Sequence, residues 1–458
     1  MSMPAQGKGA QIMPETKPEP ATAGIDSKDT TVGSVFVSNY PPYSTWGESD
    51  VPAVHQALVE PPRPDATLGL YLHIPFCRKR CKFCYFRVYT DKNSSEIDTY
   101  LNALAKEVEI YSAQPAISDR PLRFVYFGGG TPSYISVKHL TTLVDRVKQV
   151  MPWDTAEEVA FECEPGTLTE KKVEAIKGIG VTRLSLGVEN LNDEILAENG
   201  RAHLSKEVYR IVPWIKTLAF DQVNIDLISG MIGETWESWR ETVEKTIELD
   251  PDSVTVYQLE LPFNTVYSKD ILGGDTLPVA DWKLKREWHQ YAFEQFTQAG
   301  YTQSSAYTVL KKDKNCQFVY RDAVWQGSDM IGTGVASFSH LSGIHFQNAP
   351  SWGDYLGNLE EGKLPIYRAL KPTEAERLTR EMILQLKLGK ISPSYFQVKF
   401  NADILEIFAE PYEKLQNDGM LRINAASDEI QLTQRGLLQV DSLLPAFYAS
   451  EYQNTRYT

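Results

Sequence analysis

Six times between residues 68 and 259, a short run rich in β-branched and aromatic residues gives way to a segment whose apolar residues recur at helical spacing. The runs cover 68–74, 123–127, 158–163, 183–188, 223–228 and 253–259. The helical spacing shows in Ile97, Leu101, Leu104 and Val108, in Leu140, Leu143, Val144 and Val147, and in Trp236, Trp239, Val243 and Ile247. Strand then helix, repeated in this way, predicts an α/β fold with a parallel sheet and right-handed crossovers. Several runs end in turn residues that can also carry chemistry: His73-Ile74-Pro75, Gly128-Gly129-Gly130, Glu164-Pro165-Gly166 and Ser229-Gly230. A functional site is expected there, at the carboxyl ends of the strands.

The rest of the chain divides around this body. Residues 1–34, rich in Pro, Gly, Ala, Ser and Lys with no hydrophobic period, are expected to form a disordered tail, and 35–66 an arm across the larger body. The α/β body takes 67–310, a Gly-rich aromatic stretch at 311–370 closes one end of the sheet, and 371–458 read as a separate helical domain with a short β-hairpin. No run approaches the roughly 18 apolar residues of a membrane span, and the first 30 residues have no apolar signal-like core, so a cytoplasmic protein is expected. A formal charge of −14 repels polyphosphate and anionic membrane, which argues against nucleic acid as a partner.

Three of the five cysteines, Cys77, Cys81 and Cys84, fall in a C-x3-C-x2-C loop just after the first run. A disulfide framework does not fit so sparse and odd a count; a metal or redox centre does. Three thiolates at these intervals can wrap one face of a four-iron four-sulfur (4Fe-4S) cluster and leave the fourth iron without a protein ligand, free to bind substrate. The competing site is a structural zinc with His73 as fourth ligand, although no second pair of cysteines is present.

This spacing, with YLHIPFC before it and GGGTPS after the second run, resembles the radical S-adenosylmethionine (SAM) superfamily, and more narrowly the oxygen-independent coproporphyrinogen III oxidase-like (HemN-like) family. The resemblance implies a partial (β/α)6 TIM-like barrel of parallel strands with an N-terminal arm and a C-terminal helical, winged-helix-like domain. It also implies a 4Fe-4S cluster on Cys77, Cys81 and Cys84, with SAM chelated at the open iron, one molecule or two. Carried over residue by residue, the SAM-binding set is Tyr71, Phe83, Gly129, Gly130, Thr131, Glu162, Glu189, Arg201 and Asp226. Gly129 and Gly130 would let backbone approach the methionine moiety, Glu162 would lie beside SAM, and Arg201 would pair with its carboxylate. Asp226 would face the ribose or the sulfonium, and Tyr71 and Phe83 would flank the cluster and the adenine.

Two positions depart from the oxidase pattern. Glu189 stands where the family shows glutamine, and Phe86 where the oxidase has a further cysteine. The implied reaction is oxidative decarboxylation of a tetrapyrrole propionate by a 5'-deoxyadenosyl radical, with a flavodoxin or ferredoxin as electron donor. The alternatives are methyl or methylene transfer to another substrate, and a haem-binding or haem-trafficking role with His340 and His345 as axial ligands.

Overall fold

The computed structural model describes residues 29–453 and 455–457. Among the described residues twelve strands form one sheet, with six parallel strands at its centre and antiparallel pairs toward both edges. The six runs read from the sequence are β1 Leu68–Ile74, β2 Leu122–Gly129, β3 Glu158–Cys163, β4 Arg183–Glu189, β5 Gln222–Ser229 and β6 Ser253–Gln258. They pair in chain order and in parallel. The crossover helices are Ser94–Ser112, Val137–Lys148, Glu170–Gly178, Ser205–Thr217 and Trp236–Leu249, and Trp282–Gln298 follows β6.

The alternation of β1 shows how the two sides of the barrel wall arise. Leu68, Leu70, Leu72 and Ile74 pack into the main core with helix residues Leu101, Leu104 and Val108. The intervening Tyr71 joins a separate inner cluster with Phe124, Val319, Ala323 and Met330. Val319 and Ala323 belong to helix Val319–Trp325, which plugs the barrel at the end opposite the strand carboxyl termini. Glu158 anchors that plug. Its carboxylate accepts from the Val319 and Tyr320 N–H groups at 3.1 and 3.2 Å and takes a two-pronged bond from buried Arg183 at 3.0 and 3.1 Å.

The closing region has more structure than its sequence suggests. β7 Tyr301–Gln303 and β8 Thr308–Lys311 add antiparallel to β6. On the other edge β9 Asp329–Thr333 lies parallel to β1, followed by antiparallel β10 Phe338–Leu341, β11 Ile344–Asn348 and β12 Ile366–Leu370. The C-terminal part combines helices Glu374–Leu386, Pro393–Phe400 and Ala409–Asn417 with a three-stranded sheet of Lys390–Ile391, Glu429–Leu432 and Leu421–Asn424, so the expected hairpin gains a third strand.

Of the tail expected over 1–34, residues 1–28 lie outside the described residues. Residues 29–34 run along the barrel, where the Thr30 hydroxyl donates to the Ala280 carbonyl at 2.9 Å and the Gly33 N–H to the Leu261 carbonyl at 2.8 Å. The arm ties two cores together. Val37 and Tyr40 belong to the C-terminal core, whereas Val54, Ala57 and Leu58 of helix Val51–Val59 belong to the barrel core.

Candidate active site

The cysteine loop leaves β1 and is held by backbone on both sides. The Cys77 N–H donates to the Tyr89 carbonyl and the Tyr89 N–H to the Pro75 carbonyl, at 3.0 and 2.7 Å. The turn after β2 extends the β1–β2 ladder into the loop: Gly130 N–H reaches the Ile74 carbonyl and Thr131 N–H the Phe76 carbonyl, each at 2.9 Å. Gly130 is required for this approach, since a Cβ there would lie 2.8 Å from the Pro75 carbonyl carbon and 2.9 Å from the Ile74 oxygen. Gly129 has φ +112°, and a Cβ on it would meet the His73 ring at 2.5 Å. Gly130 thus brings backbone onto the start of the cysteine loop, and Gly129 brings it against the His73 ring of β1.

Two donors point at the thiols. The Thr131 hydroxyl lies 3.3 Å from Cys77 Sγ and the Arg201 guanidinium 3.3 Å from Cys81 Sγ. Burial pushes the Cys77 and Cys84 thiols up, to about 11 and about 12. Hydrogen-bond donors aimed at sulfur favour thiolate, and three such groups without a fourth fit a cluster that offers cationic iron to each. The mononuclear zinc alternative fits poorly: no three His, Cys, Asp or Glu side chains among the described residues converge on a single ion position, and His73 Nδ1 is engaged by the Tyr71 hydroxyl at 3.1 Å.

Arg201 also donates to the Gly187 carbonyl and lies 3.6 Å from the Glu189 carboxylate. Burial opposes its charge, and Cys81 and Glu189 outweigh that effect. Glu189 adopts φ +66° next to a register shift between Gly187 and Glu189, so a bulge turns its carboxylate to Arg201. One strand away, Glu162 accepts from the Tyr126 hydroxyl at 2.7 Å and the Gly129 N–H at 3.2 Å. Burial pushes both carboxyls up to about 7, and the nearby Asp226 adds to each rise.

Asp226 is held by neighbouring side chains. Its two oxygens accept from Ser185 Oγ at 2.8 Å and Asn224 Nδ2 at 2.9 Å, and it pairs across the sheet with Gly187 and Thr255. Both oxygens therefore have protein partners, which answers the need for a partner read from an otherwise apolar strand. Phe83 is half-buried among Ile232, Leu261 and Tyr267. The Tyr71 ring stacks on Tyr126, with centroids 5.9 Å apart.

One set of residues was missed. Arg78, inside the cysteine loop, makes a two-pronged bond to Glu164 at 2.9 and 3.1 Å and reaches the Ala202 carbonyl at 2.8 Å. His203 Nδ1 lies 3.2 Å from the same carboxylate. Burial alone would raise Glu164, but His203 and Arg78 hold it down to about 2. EPGT and GRAH were visible motifs; nothing local in them says that both clamp the cysteine loop.

Near the carboxylates lies a group of exposed aromatic side chains. Tyr85, Phe86 and Tyr257 are 42%, 46% and 39% exposed, high for such large side chains. Tyr85 and Phe86 stack at 4.4 Å, Tyr257 lies 6.2 Å from Tyr307, and Phe36 of the arm packs on Tyr307 at 4.8 Å. The charges acting on the Tyr257 phenol include Asp226, Glu162 and Glu189, so this group faces the site. His340 and His345 lie elsewhere. They are directly paired on β10 and β11 and buried, with His340 Nδ1 2.9 Å from the Ser328 carbonyl and the His345 ring stacked on Trp46 at 5.4 Å.

The sequence matches the profile of the Radical SAM superfamily over residues 71–246, which spans β1 to the helix after β5 and every residue of the cysteine loop and its clamp. It matches the HemN C-terminal domain over 373–438. The chain therefore contains a Radical SAM domain followed by a HemN C-terminal domain. A radical SAM protein uses a 4Fe-4S cluster and SAM, and those are its cofactors. Similar proteins include the oxygen-independent coproporphyrinogen III oxidase of Synechocystis sp., 26% identical over 90% of this chain and 91% of the relative. The oxidase of Salmonella typhimurium is 28% identical over 86% and 88%. The heme chaperone HemW of Bacillus subtilis is 26% identical over 82% and 98%. The solved structure of Escherichia coli coproporphyrinogen III oxidase (HemN) superposes with a TM-score of 0.78 at 24% identity, covering 90% of this radical SAM chain and 96% of that one, and so shares its fold. No helix among the described residues is long and apolar enough to cross a membrane.

Proposed function

We propose that this chain is a radical SAM enzyme acting on a tetrapyrrole, with Cys77, Cys81 and Cys84 as the ligands of its 4Fe-4S cluster. The observation that carries the reading is the pair of donors, Thr131 and Arg201, aimed at two of the three thiols from turns that also border Glu162 and Glu189. When bound, such a cluster and SAM supply an adenosyl-centred carbon radical able to take a hydrogen atom from substrate.

The side chains divide the remaining work. Arg201 offers the planar fork suited to the methionine carboxylate. Glu162 and Glu189, close to half ionised at neutral pH, accept hydrogen bonds from the amino group and the ribose. Asp226 acts from below as a positioning residue whose charge tunes both. Tyr71 lines the inner wall, and Phe83 backs the loop on its outer side. Tyr85, Phe86 and Tyr257 offer flat faces to a macrocycle and keep water from the reacting centre. A cytoplasmic, reducing location belongs to the same reading, supported by five free cysteines.

The relatives' names supply the first reaction to test. In oxidative decarboxylation a propionate loses one β-hydrogen atom, then carbon dioxide and one electron to an acceptor, leaving a vinyl group. Methyl or methylene transfer is the second reading, favoured by Phe86 in place of the oxidase cysteine and by Glu189 in place of glutamine. Haem handling is held by some relatives, but His340 and His345 are buried outside the cavity, so that role needs another ligand.

The deciding experiment is anaerobic reconstitution with SAM, dithionite and coproporphyrinogen III, with products read by mass spectrometry. The expected result is 5'-deoxyadenosine with release of carbon dioxide. S-adenosylhomocysteine without carbon dioxide would select transfer. A loaded cluster that cleaves no SAM with any tetrapyrrole, together with a Soret band on haem addition, would overturn the enzyme reading.

A further inference from the structure

The inner face of the barrel is charged unevenly. Glu162, Glu189 and Asp226 stand on β3, β4 and β5, whereas β10, β11 and β12 contain no acidic residue. The inner face of these last strands can be followed from residue to residue. Met330 of β9 packs with Tyr71 in the inner cluster, and His340 stands opposite it. Two residues back along β10, and so on the same face, Phe338 stands opposite Gln347, which stands opposite Arg368. Arg368 thus projects from the same side of the sheet as Tyr71. Its Nε donates to Gln347 Oε1 at 2.7 Å and its Nη1 to the Tyr43 carbonyl at 2.8 Å. It is half-buried and forms no ion pair among the described residues; burial works against its charge, and only the phenols of Tyr367 and Tyr43 act the other way. Tyr43 links this arginine to the site, since its ring lies 4.6 Å from Phe338 and its phenol is among the groups acting on Tyr85 and Tyr320. A second arginine approaches from the β6 side. Exposed Arg456 lies 4.2 Å over the Phe263 ring and also forms no ion pair among the described residues. Asn264, next to Phe263, donates to the Tyr85 carbonyl at 2.6 Å, and Tyr457, next to Arg456, packs on Tyr43 at 5.6 Å.

We propose that Arg368 and Arg456 hold carboxylate side chains of the substrate, so that the chain selects a macrocycle bearing several acid groups; this rests on reading the site as one that acts on a tetrapyrrole. A guanidinium presents a planar fork that takes a carboxylate through two parallel N–H···O bonds. Keeping such a group charged in a half-buried place without a counter-ion is costly, and an anionic ligand that arrives there removes the cost. The strands around Arg368 supply no anion of their own. On the opposite half of the wall Glu162, Glu189 and Asp226 disfavour a further carboxylate. A ligand with several acid side chains is therefore oriented: those that take no part in the reaction lie toward Arg368 and Arg456, on either side of Tyr43, and the reacting carbon lies toward the cysteines. SAM carries a carboxylate as well, and its binding is measured separately.

The test uses anaerobically purified protein and two probes, coproporphyrin III with its free carboxylates and the methyl ester that blocks them all, in the same mild detergent. Binding is read by porphyrin fluorescence. Wild-type protein should bind the acid about 10-fold or more tightly than the ester. Arg368→Ala and Arg456→Ala should each lose about 10-fold in affinity for the acid and leave that for the ester unchanged. Arg368→Lys, which keeps the charge, should stay within about 3-fold of wild type. Arg422→Ala, at an exposed residue of the C-terminal sheet, should change neither affinity. Should Arg368→Ala fold poorly, Arg456→Ala, at an exposed residue, carries the same expectation. Equal binding of acid and ester by wild type, equal loss of both probes in the variants, or unchanged affinity for the acid in both would overturn the proposal. A loss confined to SAM affinity, read by equilibrium dialysis in the same variants, would assign these arginines to the cofactor and overturn it too. Wild-type protein that binds neither probe would instead overturn the tetrapyrrole reading.

Discussion

Arg201 joins three groups that lie far apart in the chain: Cys81 Sγ, the Gly187 carbonyl and the Glu189 carboxylate. Its guanidinium has donors to spare for a ligand carboxylate, and a charge-assisted bond contributes roughly 1.5–3 kcal/mol. Arg201→Ala is therefore expected to weaken SAM binding by about 10- to 100-fold while the visible absorbance of the cluster persists, as equilibrium dialysis and spectroscopy would read. Cys163→Ser and Cys316→Ser should retain iron, because Cys163 is buried on β3 and Cys316 bonds the distant Asp252 carbonyl. Loss of iron in either would mean that the ligand set is misread, and each of Cys77, Cys81 and Cys84 should lose it on the same change. At this scale the sequence is most legible where chemistry is local. Three cysteines within eight residues announce themselves. The Arg78–Glu164 clamp, 86 residues apart, does not, because a long-range pair has no period or spacing to betray it.

Among the elements, the six parallel strands were readable because leucine, β-branched or aromatic residues recur at least at every second position between turn residues, and their observed bounds differ from the reading by at most two residues at an end. β7 to β12 were not: they are two-sided, short and broken by Gly332, Gly334 and Gly343, so neither an apolar run nor a clean alternation marks them. The turns carry the sharper constraint. Gly130→Ala forces a Cβ against the backbone of Ile74, Pro75 and Phe76 at 2.8–3.0 Å, where nothing flexible can give way. The cost is expected near 1–3 kcal/mol, visible as a lower thermal midpoint and substoichiometric iron. Gly178→Ala is the contrasting case, with nothing within 4 Å and a helical position, and should be neutral or stabilising by up to about 1 kcal/mol. At the opposite end of the barrel, Glu158→Ala would strand Arg183 in the interior and free the first turn of the plug helix. Breaking such a pair from one side costs on the order of 3–5 kcal/mol, so this variant should unfold at markedly lower denaturant.

Taken over the whole molecule, carboxyl groups buried without a cation set how stability depends on pH. Burial pushes Glu107, Glu162 and Glu189 up to about 7 and Glu234 to about 8. For each, the folded chain keeps a proton that the unfolded chain has released, so its contribution is complete below pH ~4.5 and is lost as pH rises to 7 or 8. Buried histidines act in the opposite sense. Burial lowers His73 and His289 to about 4 and His340 and His345 well below their ordinary value, so these oppose folding in acid and cease to do so by pH ~6.5. Glu164, held down to about 2, adds stability that fades as pH falls below its unfolded value. The two sets cancel between pH ~4.5 and ~6.5. Above that range only the carboxylates remain active, and the protein is expected to lose stability from about pH 6.5 to 8. Glu107 offers the cleanest check, since it lies outside the cofactor site and is wrapped by Gly334, Asn348 and Tyr355. Glu107→Gln removes a term of at most about 3 kcal/mol, so the variant should gain on wild type as pH rises from 4.5 to 7 in paired thermal melts. A wild-type midpoint that climbs steadily from pH 6.5 to 8, or a pH profile untouched by Glu107→Gln, would show that these carboxylates ionise inside the fold without cost and that water reaches deeper into the barrel than its burial implies.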